Sequence, residues 1–400
     1  MKKGERTREK ILETAIKVFR EESFDNGSVL KIASRMGTRN STIYYYFKNK
    51  SEIYNALGLK FKNGILERIR ESVAPNKTQF DNVKEILKAY LVYIKENLAL
   101  YETFREVEFV NLPLAKSYYN DLTGCIKNVL AEKIKDNFDI DTLSFIIVGS
   151  IYFIVINNLI WENREVSQDE IKTLFKFIES GIDKKSDFIP YVIPERPITL
   201  EEKKFNTRGE KTKRNIIKAA EKLFGENGYK NTQIVDIAKA SNIGMGTIYL
   251  YFNSKKEILS EVIKYVNHVL RSCSWEYTKP FKDRREIENA GFNAFFYAFK
   301  NRGEDYRIVR EAEFIDKEIG SWYYTRIADS YKKGLEQGIK SSEIENLNPE
   351  TLSYSLMGIG HTVGIRWFVL GKNKKVEEKP FSTVLNFIMH GLKGVLKETS

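Results

Sequence analysis

The sequence predicts an all-α protein made of two consecutive copies of one helical unit. Three observations carry that expectation. Apolar residues recur at helical spacing in almost every segment. No run alternates apolar with polar residues around a two-residue turn. The chain also matches itself when displaced by 205 residues, without a gap from residue 5 to residue 60. A period of that length is too long for a stacked solenoid and corresponds to a whole unit.

In chain order, the stripe Ile11, Ala15, Val18 and Phe19 marks a first helix, and Val29, Ile32, Ala33 and Met36 mark a second. A turn around Gly37 leads to a third short helix near 40–46, which is the spacing of a helix-turn-helix. Asn49-x-x-Glu52 sets a capping side chain three residues before an acid and starts a fourth helix. The second copy repeats this order with Ile216, Ala220, Leu223 and Phe224, then Ile234, Ile237 and Ala238, then Ser254-x-x-Glu257. Farther on, Tyr101-x-x-x-Arg105-Glu106-x-Glu108-Phe109 meets Tyr306-x-x-x-Arg310-Glu311-x-Glu313-Phe314 at the same displacement. Arg105 with Glu106 and Glu108, and Arg310 with Glu311 and Glu313, are spaced to form bracing ion pairs. The displacement then drifts: Thr142-Leu143-Ser144 pairs with Thr351-Leu352-Ser353, and Phe177-Ile178 with Phe387-Ile388.

Phe145 to Trp161 is apolar for 17 residues, short of the roughly 20 a membrane span needs, and carries Asn157 and Asn158. A buried core or interface helix is expected there, and no membrane association. Between the copies, Asp183 to Asn206 holds Pro190, Pro194 and Pro197, which oppose a helix and favour an extended linker. The resulting division is 1–60 and 207–265 for two heads, 61–185 and 266–400 for two helical bodies, and 186–206 for the linker.

The net charge of +11 is unevenly spread. Residues 1–70 hold 16 Lys/Arg against 8 Asp/Glu, and residues 201–272 hold 14 against 8, which leaves −3 for everything else. Basic charge concentrated on the two helix-turn-helix segments points to phosphate binding. Cys125 and Cys273 exclude a disulfide scaffold and fit a reducing compartment. Met1 to Lys10 is polar and leads directly into a helical pattern, so a cytoplasmic protein without a signal peptide is expected.

The segment Thr42-Ile43-Tyr44-Tyr45-Tyr46-Phe47-Lys48-Asn49-Lys50-Ser51-Glu52-Ile53, and its counterpart Gly246-Thr247-Ile248-Tyr249-Leu250-Tyr251-Phe252-Asn253-Ser254-Lys255-Lys256-Glu257-Ile258, resemble the signature of the TetR family of bacterial transcriptional regulators. The match covers about 5–60 and 210–265. The resemblance implies a three-helix DNA-binding head, a long fourth helix and a helical ligand-binding body. It also implies a dimer that reads two half-sites of an operator. An ordinary member is about half this length, so the chain looks like two protomers fused. Leu143–Trp161 with Ile171–Gly181, and Leu352–Leu370 with Val384–Val395, look like the family's dimerising last two helices. Pairing of one half with the other inside the chain is expected, with a homodimer of chains as the alternative.

Carried over residue by residue, the resemblance makes Tyr44 and Tyr249 phosphate contacts. Lys50 and Lys255 match the lysine that faces phosphate at the start of the fourth helix, Thr42 and Thr247 the recognition-helix threonine. Thr7 and Thr212 begin the first helix and could add a contact. Tyr46, Phe47, Tyr251 and Phe252 are expected to pack inside the heads. The base-reading positions differ between copies. Copy one offers Thr38, Arg39, Asn40, Ser41 and Tyr45, where Arg can pair with guanine and Asn with adenine. Copy two offers Ile243, Gly244, Met245, Gly246 and Leu250, with few hydrogen-bonding groups. An asymmetric operator is therefore expected. Arg39 and Ser41 depart from the family pattern at the recognition-helix start.

The bodies are rich in aromatic residues. Tyr93, Tyr101, Phe104 and Tyr152 in one copy, and Phe296, Tyr306, Trp322 and His361 in the other, are candidates to line a cavity for an apolar or aromatic effector. Plain core packing is the alternative for each. Only His268, His361 and His390 are present, with no Gly-rich phosphate loop, metal-ligand cluster or nucleophile elbow. No enzyme activity, catalytic residue, metal or cofactor is expected. The expected function is a transcriptional repressor released from duplex DNA by a small molecule. The rival is a helical ligand- or protein-binding module that has lost DNA binding in one or both heads.

Overall fold

The computed structural model describes residues 3–195, 207–371 and 377–397. Among these residues every regular element is helical, and extended pairing is limited to isolated bridges, among them an antiparallel one between Asp183 and Ile344. The fold is all-α and tandemly duplicated, as the sequence predicts. The chain forms two compact units, Met1–Ile134 with Val155–Val166, and Lys135–Ile154 with Ser167–Ser400. They do not follow the repeat boundary: the second unit takes in residues 135–154 and 167–185 of the first copy.

In the first unit, α1 (Lys3–Asn26), α2 (Val29–Met36) and α3 (Asn40–Tyr46) form the head. Ser28 caps α2 by accepting from the Lys31 N–H. Gly37 ends it with φ 66°, a left-handed conformation that turns the chain into α3. Ile11, Ala15, Phe19, Ile32, Ala33, Ile43 and Phe47 are buried together, which fixes the angle between the three helices. α4 (Lys50–Ser72) starts at the Asn49 cap. α5 (Gln79–Glu96), α6 (Leu98–Phe104), the single turn α7 (Val107–Val110) and α8 (Leu112–Leu130) complete the body around α4.

The second unit contains α9 (Ile140–Val155) up to Ile154, α10 (Gln168–Ser180) and all of the second copy that is described. Its head is α11 (Arg208–Asn227), α12 (Ile234–Ala240) and α13 (Met245–Tyr249), with Ile216, Ala220, Phe224, Ile237, Ala238, Ile248 and Phe252 buried at the same repeat positions as before. α14 (Lys255–Thr278), α15 (Arg284–Asn301), α16 (Gly303–Ile315) and α17 (Lys317–Lys340) form its body. α18 (Pro349–Gly364) and α19 (Glu378–Val395) follow. Both α9 and α18 run on into six-residue π-helical segments, Ile156–Trp161 and Ile365–Leu370. The helix Ile140–Trp161 is long and apolar enough to cross a membrane, yet 94% of its most apolar stretch is buried in the protein.

Within the second unit, α9 and α10 pack against α18 and α19, and equivalent positions of the two copies meet. Gly149 lies against Gly358, each so close that a side chain on either would collide with the other's backbone. The Asp139 N–H donates to Thr383 Oγ1 at 2.8 Å, and the equivalent Asn348 N–H donates to Thr173 Oγ1 at 3.4 Å. The chain before α9 pairs with the chain after α19 (Lys135 N–H to Val395 carbonyl, 3.0 Å), and the chain before α18 pairs with the chain after α10 (Glu345 N–H to Ile182 carbonyl, 2.8 Å). Reciprocal contacts of this kind characterise an isologous interface.

The linker is extended where it is described. The Tyr191 N–H donates to Asn289 Oδ1 (3.2 Å) and its carbonyl accepts from Asn289 Nδ2 (2.8 Å). The Ile193 N–H donates to Asn293 Oδ1 (2.9 Å). Spaced by four, these asparagines on α15 hold consecutive alternate peptides of the strap. Pro197 and the charged run to Asn206 lie outside the described residues.

Candidate nucleic-acid interface

The turn between α2 and α3 exposes the residues that sequence reasoning assigned to DNA. Arg39, Ser41, Tyr44 and Tyr45 are exposed, and Thr38, Asn40 and Thr42 half-buried. Thr38 Oγ1 donates to Thr42 Oγ1 at 2.9 Å, which ties the loop to α3. α3 begins at Asn40 in spite of Arg39 and Ser41; Arg39 occupies the cap position with no side-chain cap bond. The helix therefore leaves its first N–H groups without the usual local acceptor, a favourable end for an anion.

The second head presents the same surface with different chemistry. Tyr44 and Tyr249 are 53% and 50% exposed, Tyr45 and Leu250 83% and 82%, so matching positions project equally. Where copy one offers Arg39, Asn40 and Ser41, copy two offers exposed Gly244, Met245 and Gly246. α13 begins at the same repeat position as α3 but spans five residues against seven, ending before Leu250. Asn242, with φ 54°, takes the left-handed turn that Gly37 makes in the first head. Thr247 is half-buried. Phe47 and Phe252 are buried inside their heads, with Arg8 and Lys213 over the rings; Tyr46 and Tyr251 are half-buried against the first helices.

Two expectations meet a different geometry. Thr7 and Thr212 do not open their helices. They lie one turn in and return their hydroxyls to the Lys3 and Arg208 carbonyls (3.2 and 3.0 Å), and Thr207 caps α11. Lys50 and Lys255 do not project outward. Lys50 Nζ donates to the Phe24 and Asp25 carbonyls (2.7 and 3.1 Å), and Lys255 Nζ to the Tyr229 and Thr232 carbonyls (both 2.9 Å). Desolvation holds the Lys255 ammonium below the ordinary lysine range. The acceptors are carbonyls at the end of α1 and in the loop after α11, and they capture the flexible side chain. Phe24 and Tyr229, which receive these lysines, were missed; their signal was an aromatic residue at one repeat position.

The body candidates gather in two groups. Tyr93, Tyr101 and Phe104 surround Phe61 on α4, with ring centroids at 5.7, 5.6 and 4.5 Å. In the second unit, Tyr152 stacks on His361 at 4.4 Å, and Tyr306 hydrogen-bonds His361 Nδ1. Phe296 packs on Trp367 at 4.6 Å, and Trp322 is half-buried on α17. The bracing pairs divide. Arg310 Nη1 donates to Glu313 Oε1 at 2.6 Å, fully buried, and the Tyr324 hydroxyl donates to the same oxygen at 2.7 Å. The Tyr119 hydroxyl donates to Glu108 in the first copy (2.8 Å). Glu106 and Glu311 instead turn towards the heads, to the Phe24 and Tyr229 N–H groups.

The profile described as "Bacterial regulatory proteins, tetR family" matches residues 11–57 and 216–262. These are the two heads from the first helix to the start of the fourth. Among curated relatives, an uncharacterized HTH-type transcriptional regulator, YhgD of Bacillus subtilis, is 28% identical over 153 residues, which are 36% of this chain and 78% of that protein. The fatty acid metabolism regulator protein of Bacillus subtilis is 28% identical over 151 residues, 35% of this chain and 77% of that protein. The solved fatty acid degradation regulator FadR from Bacillus halodurans aligns over 48% of this chain and all of its own, at 20% identity and a TM-score of 0.40.

Proposed function

Because the chain belongs to the TetR family of bacterial transcriptional regulators, with two of the family's DNA-binding heads in one polypeptide, we propose that it acts as a single-chain pseudo-dimer reading both half-sites of one operator. The observation that carries this reading is the reciprocal packing of α9 and α10 on α18 and α19, with Gly149 against Gly358. An apolar interface closed within the chain stands where two separate protomers would otherwise pair.

Both heads contribute phosphate contacts through Tyr44 and Tyr249 and through the open ends of α3 and α13. Arg39 and Asn40 read bases in the first half-site, and Met245 and the Thr247 methyl touch thymine in the second. The operator is asymmetric, with the first half-site read more stringently. The chain represses by occupying it in the cytoplasm, without catalytic activity. A small apolar effector, bound among the body aromatics, favours a state with lower DNA affinity and releases it. The name of the fatty acid metabolism regulator is compatible with an apolar effector.

Selection of bound sequences from random duplex DNA, with the mass of the complex recorded, tests the reading. An asymmetric site holding one chain supports it. A palindrome holding two chains overturns the pseudo-dimer, and no enriched sequence overturns DNA reading.

A further inference from the structure

In each repeat one aromatic residue stands between head and body. Phe24 follows Ser23, whose φ of 63° breaks the regular course of α1; Tyr229 follows Gly228, φ 80°, at the end of α11. The Phe24 N–H donates to both carboxylate oxygens of Glu106, at 3.1 and 3.2 Å, and the Tyr229 N–H to Glu311 Oε2 at 2.9 Å. The carbonyls of the same two residues accept from Lys50 and Lys255 at 2.7 and 2.9 Å, and each ammonium also lies over the aromatic ring, 4.2 and 4.3 Å from its centroid. Lys50 and Lys255 are the first residues of α4 and α14, directly behind the recognition helices. Three residues thus join the body, the end of the first helix and the start of the fourth, and all three pairs, 106 and 311, 24 and 229, 50 and 255, correspond at the displacement of 205.

Packing alone would be served by an apolar side chain at this place. Glu106 is 8% exposed, between Asp25, which opposes its charge, and Arg105 and Lys50, which favour it. A buried carboxyl is retained there because its oxygens are bound to one peptide N–H. Such a bond is short-ranged and directional, so a displacement of roughly 1 Å breaks it. The aromatic residue it holds would then cease to anchor the lysine.

We infer that this Glu–aromatic–Lys junction is the route by which a rearrangement of each body reaches its recognition helix, with Glu106 and Glu311 as positioning residues. The inference deepens the regulatory reading above and rests on it. The two junctions are chemically unequal: Glu311 also accepts from Arg307 Nε at 3.1 Å, which pins it to α16, whereas Glu106 belongs to the break between α6 and α7. The first head is therefore the more easily released.

The test uses the full chain with Glu106→Ala, Glu106→Gln, Lys50→Met and the Glu106→Ala/Lys50→Met pair. Amide hydrogen exchange is followed over residues 40–53 and 245–258, and affinity is measured for operator duplexes with one half-site intact. Glu106→Ala is expected to raise exchange over 40–53 and weaken binding through the first half-site, each about tenfold, with 245–258 unchanged. Glu106→Gln keeps a carbonyl acceptor and restores most of both. The double variant is no worse than Lys50→Met alone. Unchanged exchange over 40–53, a loss spread evenly over the molecule, or strictly multiplicative effects in the double variant would each overturn the junction. If Glu106→Ala does not fold, Glu311→Ala with Lys255→Met gives the same cycle on 245–258. If the wild-type chain binds no duplex, the DNA reading falls, and the exchange cycle alone decides the junction.

Discussion

Phe177 and Phe387 pack edge to face, their ring centroids 5.9 Å apart and their planes at 85°. They occupy the same position in the two copies, one on α10 and one on α19. A residue meets its own equivalent only near a twofold axis, and Gly149 with Gly358 does so on α9 and α18.

That close approach makes a first prediction. Gly149→Leu places a side chain where Thr362 and the Gly358 backbone already stand, and is expected to cost about 2–4 kcal/mol in urea unfolding. Gly124→Ala on α8, with nothing within 4 Å of the added carbon, should stabilise by about 0.5–1 kcal/mol. Equal effects of the two substitutions would sink the interface argument.

The recognition surfaces should respond unequally. Arg39→Ala is expected to lose about 1–3 kcal/mol of discrimination at one base position of the first half-site. Met245→Ala in the second head is expected to lose less. Both residues are exposed, so unfolding midpoints should stay within experimental scatter. Competition with single-base operator variants measures the difference.

Glu106 makes the stability of the first unit depend on pH. Burial pushes its carboxyl up to about 7 from the ordinary 4.5, although the Phe24 N–H pulls the other way. The folded unit therefore holds a proton that the unfolded chain has released. The stabilisation is complete below about pH 4.5 and is lost as pH rises through 7, by at most on the order of 3 kcal/mol. Glu106→Gln should remove this slope; parallel urea-unfolding curves for the two proteins between pH 5 and 8 would contradict the assignment.

Ser23 holds φ 63° and ψ 169°, a conformation costly for a side chain, where the second copy has Gly228. Ser23→Gly is expected to raise stability by about 1 kcal/mol, measured by thermal unfolding. The reverse change, Gly228→Ser, should lower it, since its Cβ would also come within 3.2 Å of the Glu311 carboxylate.

Much of this protein was legible in local pattern. Ile11, Ala15 and Phe19 announce the buried face of α1, because side chains three and four residues apart share one side of a helix. Asn49 and Ser254 announce helix starts; both accept from the N–H three residues on. Their glutamates reach one residue further back than a capping box requires, to the Lys48 and Asn253 N–H groups. The contrast between Arg39-Asn40-Ser41 and Gly244-Met245-Gly246 was equally plain, since exposed loop residues keep the chemistry their sequence states.

The sequence by itself therefore determined the duplication, the helical class, the two heads and the unequal chemistry of the exposed residues at the starts of α3 and α13. All of these follow from spacing within a few turns of chain or from direct comparison of the copies. The tertiary structure alone decided which residues of α9 and α10 meet α18 and α19, that Lys50 and Lys255 turn inward to carbonyls, and that Glu106 and Glu311 reach the Phe24 and Tyr229 N–H groups. The reason is physical: periodicity states which face of a helix is buried but not against what. A long charged side chain takes whichever strong partner the fold brings within about 3 Å, and here those partners lie 26 and 82 residues away in sequence.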